Sequence, residues 1–196
     1  MSQTITKLYD SYAEASAAVT ELERIGIPHK DISIIVNNGD GKVETRAGED
    51  AGIGAGAGAT IGGVGGLLAG LGILAIPGLG PIVAAGWLAT TALGMGAGAV
   101  VGGAAGGLIG ALQKEGVSED DAHVYSEGVR RGGTLVSVKA ASDRADEVRD
   151  VLDRYRPVNP AVRRAAYSEK GWSNFDENAA PYTADEIEAE RALYPR

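Results

Sequence analysis

From Ala51 to Gln113 the chain runs through 63 positions with no Asp, Glu, Lys or Arg, although charged residues make up 22% of the whole. That uncharged stretch holds 21 of the 30 glycines. Gly54, Gly58, Gly62, Gly66 and Gly70 recur every fourth residue, and so do Gly94, Gly98, Gly102, Gly106 and Gly110. A period of four has no meaning on a strand, whereas on a helix it lines one slowly drifting face. Glycine inside a helix costs roughly 1 kcal/mol relative to alanine, so two such series need a compensating gain. Close backbone approach between helices, as in small-xxx-small packing, supplies one.

Between the two series stands Ile76-Pro77-Gly78-Leu79-Gly80-Pro81, whose prolines and glycines end one helix and permit a reversal. The spacing predicts a helical hairpin with arms from Ala51 to Ala75 and from Ile82 to Leu112, roughly 37 and 46 Å long at 1.5 Å per residue. Either length could cross a hydrocarbon core of about 30 Å. Glycine and alanine contribute little insertion energy, and only Ile61 to Ile76 and Ile82 to Val101 are dense in Leu, Ile and Val. Three arrangements follow: insertion in a membrane, burial inside a water-soluble homo-oligomer with or without lipid or another apolar ligand, and silk-like stacking. Trp87, in the second arm, is a membrane-depth marker in the first and a plug at a subunit interface in the second.

The formal charge of −8 argues against nucleic acid, which wants a basic surface, and against adhesion to anionic lipid. Cysteine is absent, which removes thiolate and disulfide chemistry and is compatible with a reducing compartment. Met1 to Asp10 carries no secretory pattern, so the soluble parts are expected in the cytoplasm, or on the cytoplasmic side of an inner membrane if the hairpin inserts.

On either side of the hairpin the chain reads as one interrupted α+β domain. Thr4 to Tyr9 suits a strand, Ser11 with Glu14 caps a helix with Ala15, Ala18, Val19, Leu22 and Ile25 inward, and Gly26 stops it. Asp31 to Asn37 is apolar enough to be a central strand, and Lys42 to Arg46 is a weaker third strand after the Asn37 to Gly41 turn. Beyond the hairpin, Ser118 and Asp121 open a helix ending before Gly132-Gly133, Thr134 to Ala140 is a strand, and Ser142 to Tyr155 is an amphipathic helix. The order fits a ferredoxin-like sandwich interrupted by the hairpin. Residues 1–50 and 114–156 are thus the two parts of the domain, 51–113 the hairpin and 157–196 a C-terminal tail with an acidic helix from Thr183 to Leu193.

At Tyr125-Ser126-Glu127-Gly128-Val129-Arg130-Arg131-Gly132-Gly133-Thr134-Leu135-Val136-Ser137-Val138 the pattern of a Tyr-bearing helix, a Gly-Gly turn and an apolar strand resembles the bacterial heat-induced general stress protein family. Tyr9, Ala13 to Leu22 and Ile32 to Val36 look like the start of the same domain, so the resemblance spans Thr4 to Val36 and Ser118 to Tyr155. The glycine-rich middle separately resembles the glycine-zipper hairpins of bacterial envelope proteins. The first resemblance implies a role in stress tolerance, and neither transfers a catalytic residue.

Few residues invite chemistry. Gly54-x-Gly56-x-x-Ala59 matches a dinucleotide fingerprint in form, but it follows Glu49-Asp50 rather than a strand, so no cofactor is expected. Two histidines, His29 and His123, without cysteine do not make a zinc site, and Asp40 between glycines is a turn residue. The acidic runs Glu119 to Asp121 and Asp185 to Glu190 read as helix starts and solvated faces. The expected role is non-enzymatic self-assembly, with the ten periodic glycines as contact residues. Trp172 and Phe175, large aromatics in a polar tail, are expected to dock on a groove of this subunit or its neighbour.

Overall fold

A computed structural model of the chain describes residues 2–39, 72–76, 78–94 and 107–194. The expected strand at Lys42 to Arg46 and the glycines Gly54, Gly58, Gly62, Gly66, Gly70, Gly98, Gly102 and Gly106 lie outside the described residues.

The elements are β1 (Ser2–Tyr9), α1 (Tyr12–Arg24), β2 (Ile32–Asn37), β3 (Gly72–Ile76), β4 (Gly80–Gly86), α2 (Trp87–Gly94), α3 (Gly107–Lys114), α4 (Glu119–Arg130), β5 (Thr134–Ala141), α5 (Ala145–Arg154), α6 (Pro160–Glu169) and α7 (Ala184–Ala192). The local chemistry of the outer parts acts as read. The Ser11 hydroxyl accepts from the Glu14 N–H, the Ser118 hydroxyl accepts from the Asp121 N–H, and Gly26 takes the left-handed conformation, φ +84°, that stops α1.

The five strands form one antiparallel sheet in the order β1-β5-β2-β4-β3. β1 and β2 are joined by α1 and run parallel, with β5 between them, so Leu8 pairs with Leu135 and Ile35 with the same residue from the other side. The three strands and α1 thus make a split β-α-β unit. Here the further strands lie beyond β2, and β1 and β3 are the edge strands among the described residues.

The middle of the chain departs from the expected helical hairpin. Gly72 to Ile76 and Gly80 to Gly86 are strands, and the reversal at Gly78-Leu79 joins a β-hairpin whose second strand pairs with β2 from Ser33↔Gly86 to Asn37↔Ile82. The arm expected from Ile82 to Leu112 is therefore strand, then the short helices α2 and α3. The physical reason is that Ile82-Val83-Ala84-Ala85 is buried on both faces, and pairing with β2 satisfies its backbone there. Of the periodic glycines, Gly94 ends α2 and Gly110 is half-buried within α3. Among the described residues no helix is long and apolar enough to cross a membrane.

Each face of the sheet has its own core. On one face Ile5, Ile34, Val83, Val136 and Val138 meet Ala15, Val19 and Leu22 of α1 and Val148, Val151 and Leu152 of α5. On the other, Leu8, Ile35, Ile82, Ala84 and Leu135 meet α2, α3 and α4 through Leu88, Leu108, Leu112, Ala122 and Val129, together with Val158 and Phe175 of the tail. Trp87, opening α2, is half-buried; its indole N–H donates to the Asp31 carbonyl at 3.3 Å, and the Lys139 ammonium stands 3.9 Å from its ring centre.

Candidate functional site

The tail from Pro157 onward is folded back over the body as a strap. Asn159 caps α6 by accepting from the Ala161 and Val162 N–H groups, with Pro160 in the first turn, where its missing N–H is no loss. Thr183 and Glu186 form a full capping box at α7. The expected acidic helix is therefore present, whereas α6 was not anticipated.

Two seams hold the strap. The first is apolar. Phe175 is buried at 8% exposure in the second core, and its backbone N–H donates to Nδ1 of His123 at 3.2 Å, which leaves the imidazole proton on Nε2. Trp172 is half-buried and meets Tyr167 edge to face, with ring centres 5.5 Å apart. Glycines in the body seat the strap: a Cβ at Gly78 would stand 2.8 Å from the Glu177 Cα, one at Gly80 2.7 Å from Pro181, and one at Gly132 2.5 Å from Ile187.

The second seam is a buried charge cluster where α4 turns into β5. Glu127, 0% exposed, accepts through one oxygen from Arg130 at 2.9 Å and from Arg131 at 2.6 Å. Arg131 reaches on to Glu190 of α7 at 3.1 Å, and Lys170 approaches the other Glu190 oxygen at 3.4 Å. Arg163 of α6 holds Asp10 through two parallel bonds of 2.7 and 2.8 Å, the geometry that makes a guanidinium–carboxylate pair strong. Arg191 donates to the Gly132 carbonyl at 2.9 Å.

Strap aromatics complete the cluster. The Arg131 guanidinium lies 4.2 Å from the Tyr167 ring centre and 5.4 Å from Tyr182, Arg130 lies 5.1 Å from Tyr182, and Arg163 lies 3.7 Å from Tyr194. Burial works against the positive charge of Arg131 and Arg163, but the carboxylates beside them outweigh it, and both guanidiniums titrate above their ordinary value. Burial likewise raises the Tyr167 phenol, against the pull of Arg163 and Arg131, so it stays neutral.

The cleft beneath this cluster, lined by Asp10, Arg131, Arg163, Tyr167 and Glu190 among others, has about 10 Å³ of room, enough for a single water. Among the described residues no group of His, Asp and Glu is arranged to hold a metal ion. Asp10, Glu127, Arg131 and Glu190 are the residues that sequence reasoning passed over. The sequence places Glu190 on a solvated acidic face; in the structure it is 9% exposed and paired.

The sheet and the cluster define a class: a small α+β module closed by a charge-latched C-terminal strap. Residues 4–74 match the family model described as the heat induced stress protein YflT domain. The match takes in β1, α1 and β2 and runs into β3; the Tyr125 to Val138 pattern that also suggested a stress protein lies beyond it. No curated protein and no solved structure matches the chain.

Proposed function

We propose that this stress-related protein is a non-enzymatic self-assembling module, built on a ferredoxin-like split core and joined to further copies through its uncharged glycine-rich segments. The observation that carries the reading is how the charge-free middle is divided. Residues 72–94 are spent on the chain's own sheet and on α2, which leaves residues 51–71 and 95–106 as glycine-rich insertions on either side of it. β4 is committed to pairing with β2, which takes residues 80–86 out of the expected membrane hairpin and favours contact between copies. The charged residues of the tail support a structural role as well, since their partners are one another and the body.

The test is the native mass of the full chain by light scattering on a sizing column without detergent. The expected result is an assembly several times the chain mass of 20.0 kDa, broken by Gly62→Leu or Gly102→Leu and little affected by Leu67→Ile. A monomeric parent, or an assembly that survives both glycine substitutions, would refute the reading. Recovery only in the membrane fraction, with detergent needed for release, would replace it with membrane insertion at the cytoplasmic face.

A further inference from the structure

We propose that the groove beneath the strap is also an interaction surface for a second copy of this chain, which it engages by exchange of straps. The proposal does not rest on assembly through the glycine segments, and its test is separable from theirs.

Tyr155-Arg156-Pro157-Val158 is the joint between body and strap. Arg156 has φ +56°, and it is the one non-glycine residue with positive φ among the described residues. A left-handed conformation for a residue with a Cβ carries strain of about 1 to 2 kcal/mol. The next residue is proline, whose ring presses the residue before it toward extended backbone. Both effects act in one direction. The joint is held in a reversed conformation that folds the strap onto its own body, while its sequence prefers a straight one that carries the strap away.

What holds the strap back is the seat. Val158 donates its N–H to the Leu8 carbonyl at 2.7 Å, Arg163 holds Asp10, Glu190 holds Arg131, and Phe175 fills the second core beside Gly78. All of these contacts lie beyond the joint. Each forms equally well whether the strap comes from the same chain or from another, because the seat recognises the strap and not its connection. A straightened joint in each of two chains keeps every one of these contacts twice over and releases the strain at Arg156 twice. Concentration sets the balance, as in any exchange between an intramolecular and an intermolecular contact.

Cross-linking tests this on the full chain, which has no cysteine of its own. Half-buried Arg164 of α6 and exposed Asp120 of α4 form an ion pair at 3.0 Å across the seam, outside the Glu127–Arg131–Glu190 cluster, so cysteine at either position leaves that cluster's own pairs in place. Asp120→Cys and Arg164→Cys are placed on separate chains, one isotopically labelled, and the two are mixed at high concentration and treated with a short bismaleimide. The expected product is a species of twice 20.0 kDa in which peptide mapping joins position 120 of one chain to position 164 of the other. The yield should fall several-fold with Arg156→Gly, which removes the strain, and rise several-fold with Arg156→Val, which increases it. It should be unchanged by Gly62→Leu. Absence of any link between position 120 of one chain and position 164 of the other, under conditions in which a control chain carrying both cysteines links to itself, would overturn the proposal, as would a yield indifferent to residue 156 or one that vanishes with Gly62→Leu.

Discussion

Glu127→Ala should lower the stability of the folded chain by roughly 3 to 5 kcal/mol, read as a drop in the urea midpoint at unchanged slope. Glu127 is fully buried, and its carboxylate is the partner of two arginines that are themselves almost fully covered. Removing it leaves Arg130 and Arg131 beneath the strap with Glu190, the more distant Glu186 and the rings of Tyr167, Phe175 and Tyr182 to balance two charges. An uncompensated buried charge is far more costly than the pair was worth, because desolvation persists after the Coulomb attraction has gone. The strap should feel this first. Arg131 is its anchor for α7, so a protease that cuts exposed chain should attack between Tyr167 and Thr183 in the variant at protein concentrations where the parent resists. Glu127→Gln retains an oxygen that can accept from Arg131 and should fall between the two. A loss below about 1 kcal/mol for Glu127→Ala would mean that the cluster is open to water and does not hold the strap.

Such a cluster is hard to see in a sequence, because its pairs are far apart along the chain. Asp10 and Arg163 are separated by 153 residues and Arg131 and Glu190 by 59, and helix periodicity reports only on neighbours three or four apart. The local signals were legible wherever a local cause acted. Ser11, Ser118 and Thr183 announce their helices through caps, Gly26 stops one, and the run from Ile32 to Val36, apolar but for Ser33, places β2 inside the sheet with both faces covered. The stress-protein likeness was legible in the N-terminal β-α-β unit for the same reason, since its pattern is one of packing.

The middle of the chain misled because two periodicities overlap there. The four-residue glycine series is real on either side, but at Leu74, Ile82 and Thr90 the same period carries no glycine. Across that gap Ile73, Leu74 and Ile76 precede Pro77-Gly78-Leu79-Gly80, and Ile82 and Val83 follow it, which is the composition of two strands around a glycine-containing turn. Extending the helical period across the gap turned a β-hairpin into two long helices. Phe175 and Trp172 mark the tail as a docking segment by their size alone, but the groove that Phe175 enters depends on Gly78, His123 and Arg130, none of which is near it in sequence, and Trp172 packs on Tyr167 of the strap itself.

Gly86→Ala should be among the most damaging single-atom changes in the chain, and it discriminates between those two readings of the middle. Gly86 ends β4 with φ +89°, and a Cβ there would stand 2.7 Å from the Ser33 Cα and press still harder on the Ile32 carbonyl oxygen. Both are backbone atoms of β2, fixed by pairing with β4 and β5, so neither can swing aside as the end of a side chain would. Left-handed strain of about 1 to 3 kcal/mol and overpacking of about 1 to 3 kcal/mol act together, a large part of the 5 to 15 kcal/mol that holds an ordinary domain. Gly26→Ala separates the two effects, since Gly26 has φ +84° and nothing within 4 Å of the added carbon. It should show the strain alone. The gap between the two substitutions, measured as the difference in urea midpoint, then reports how closely β4 lies against β2. In a helical arm Gly86 would have an ordinary helical φ, and alanine there would be neutral or stabilising. Equal losses for the two variants would therefore take β4 out of the sheet and return residues 82–94 to the glycine-rich segment they interrupt.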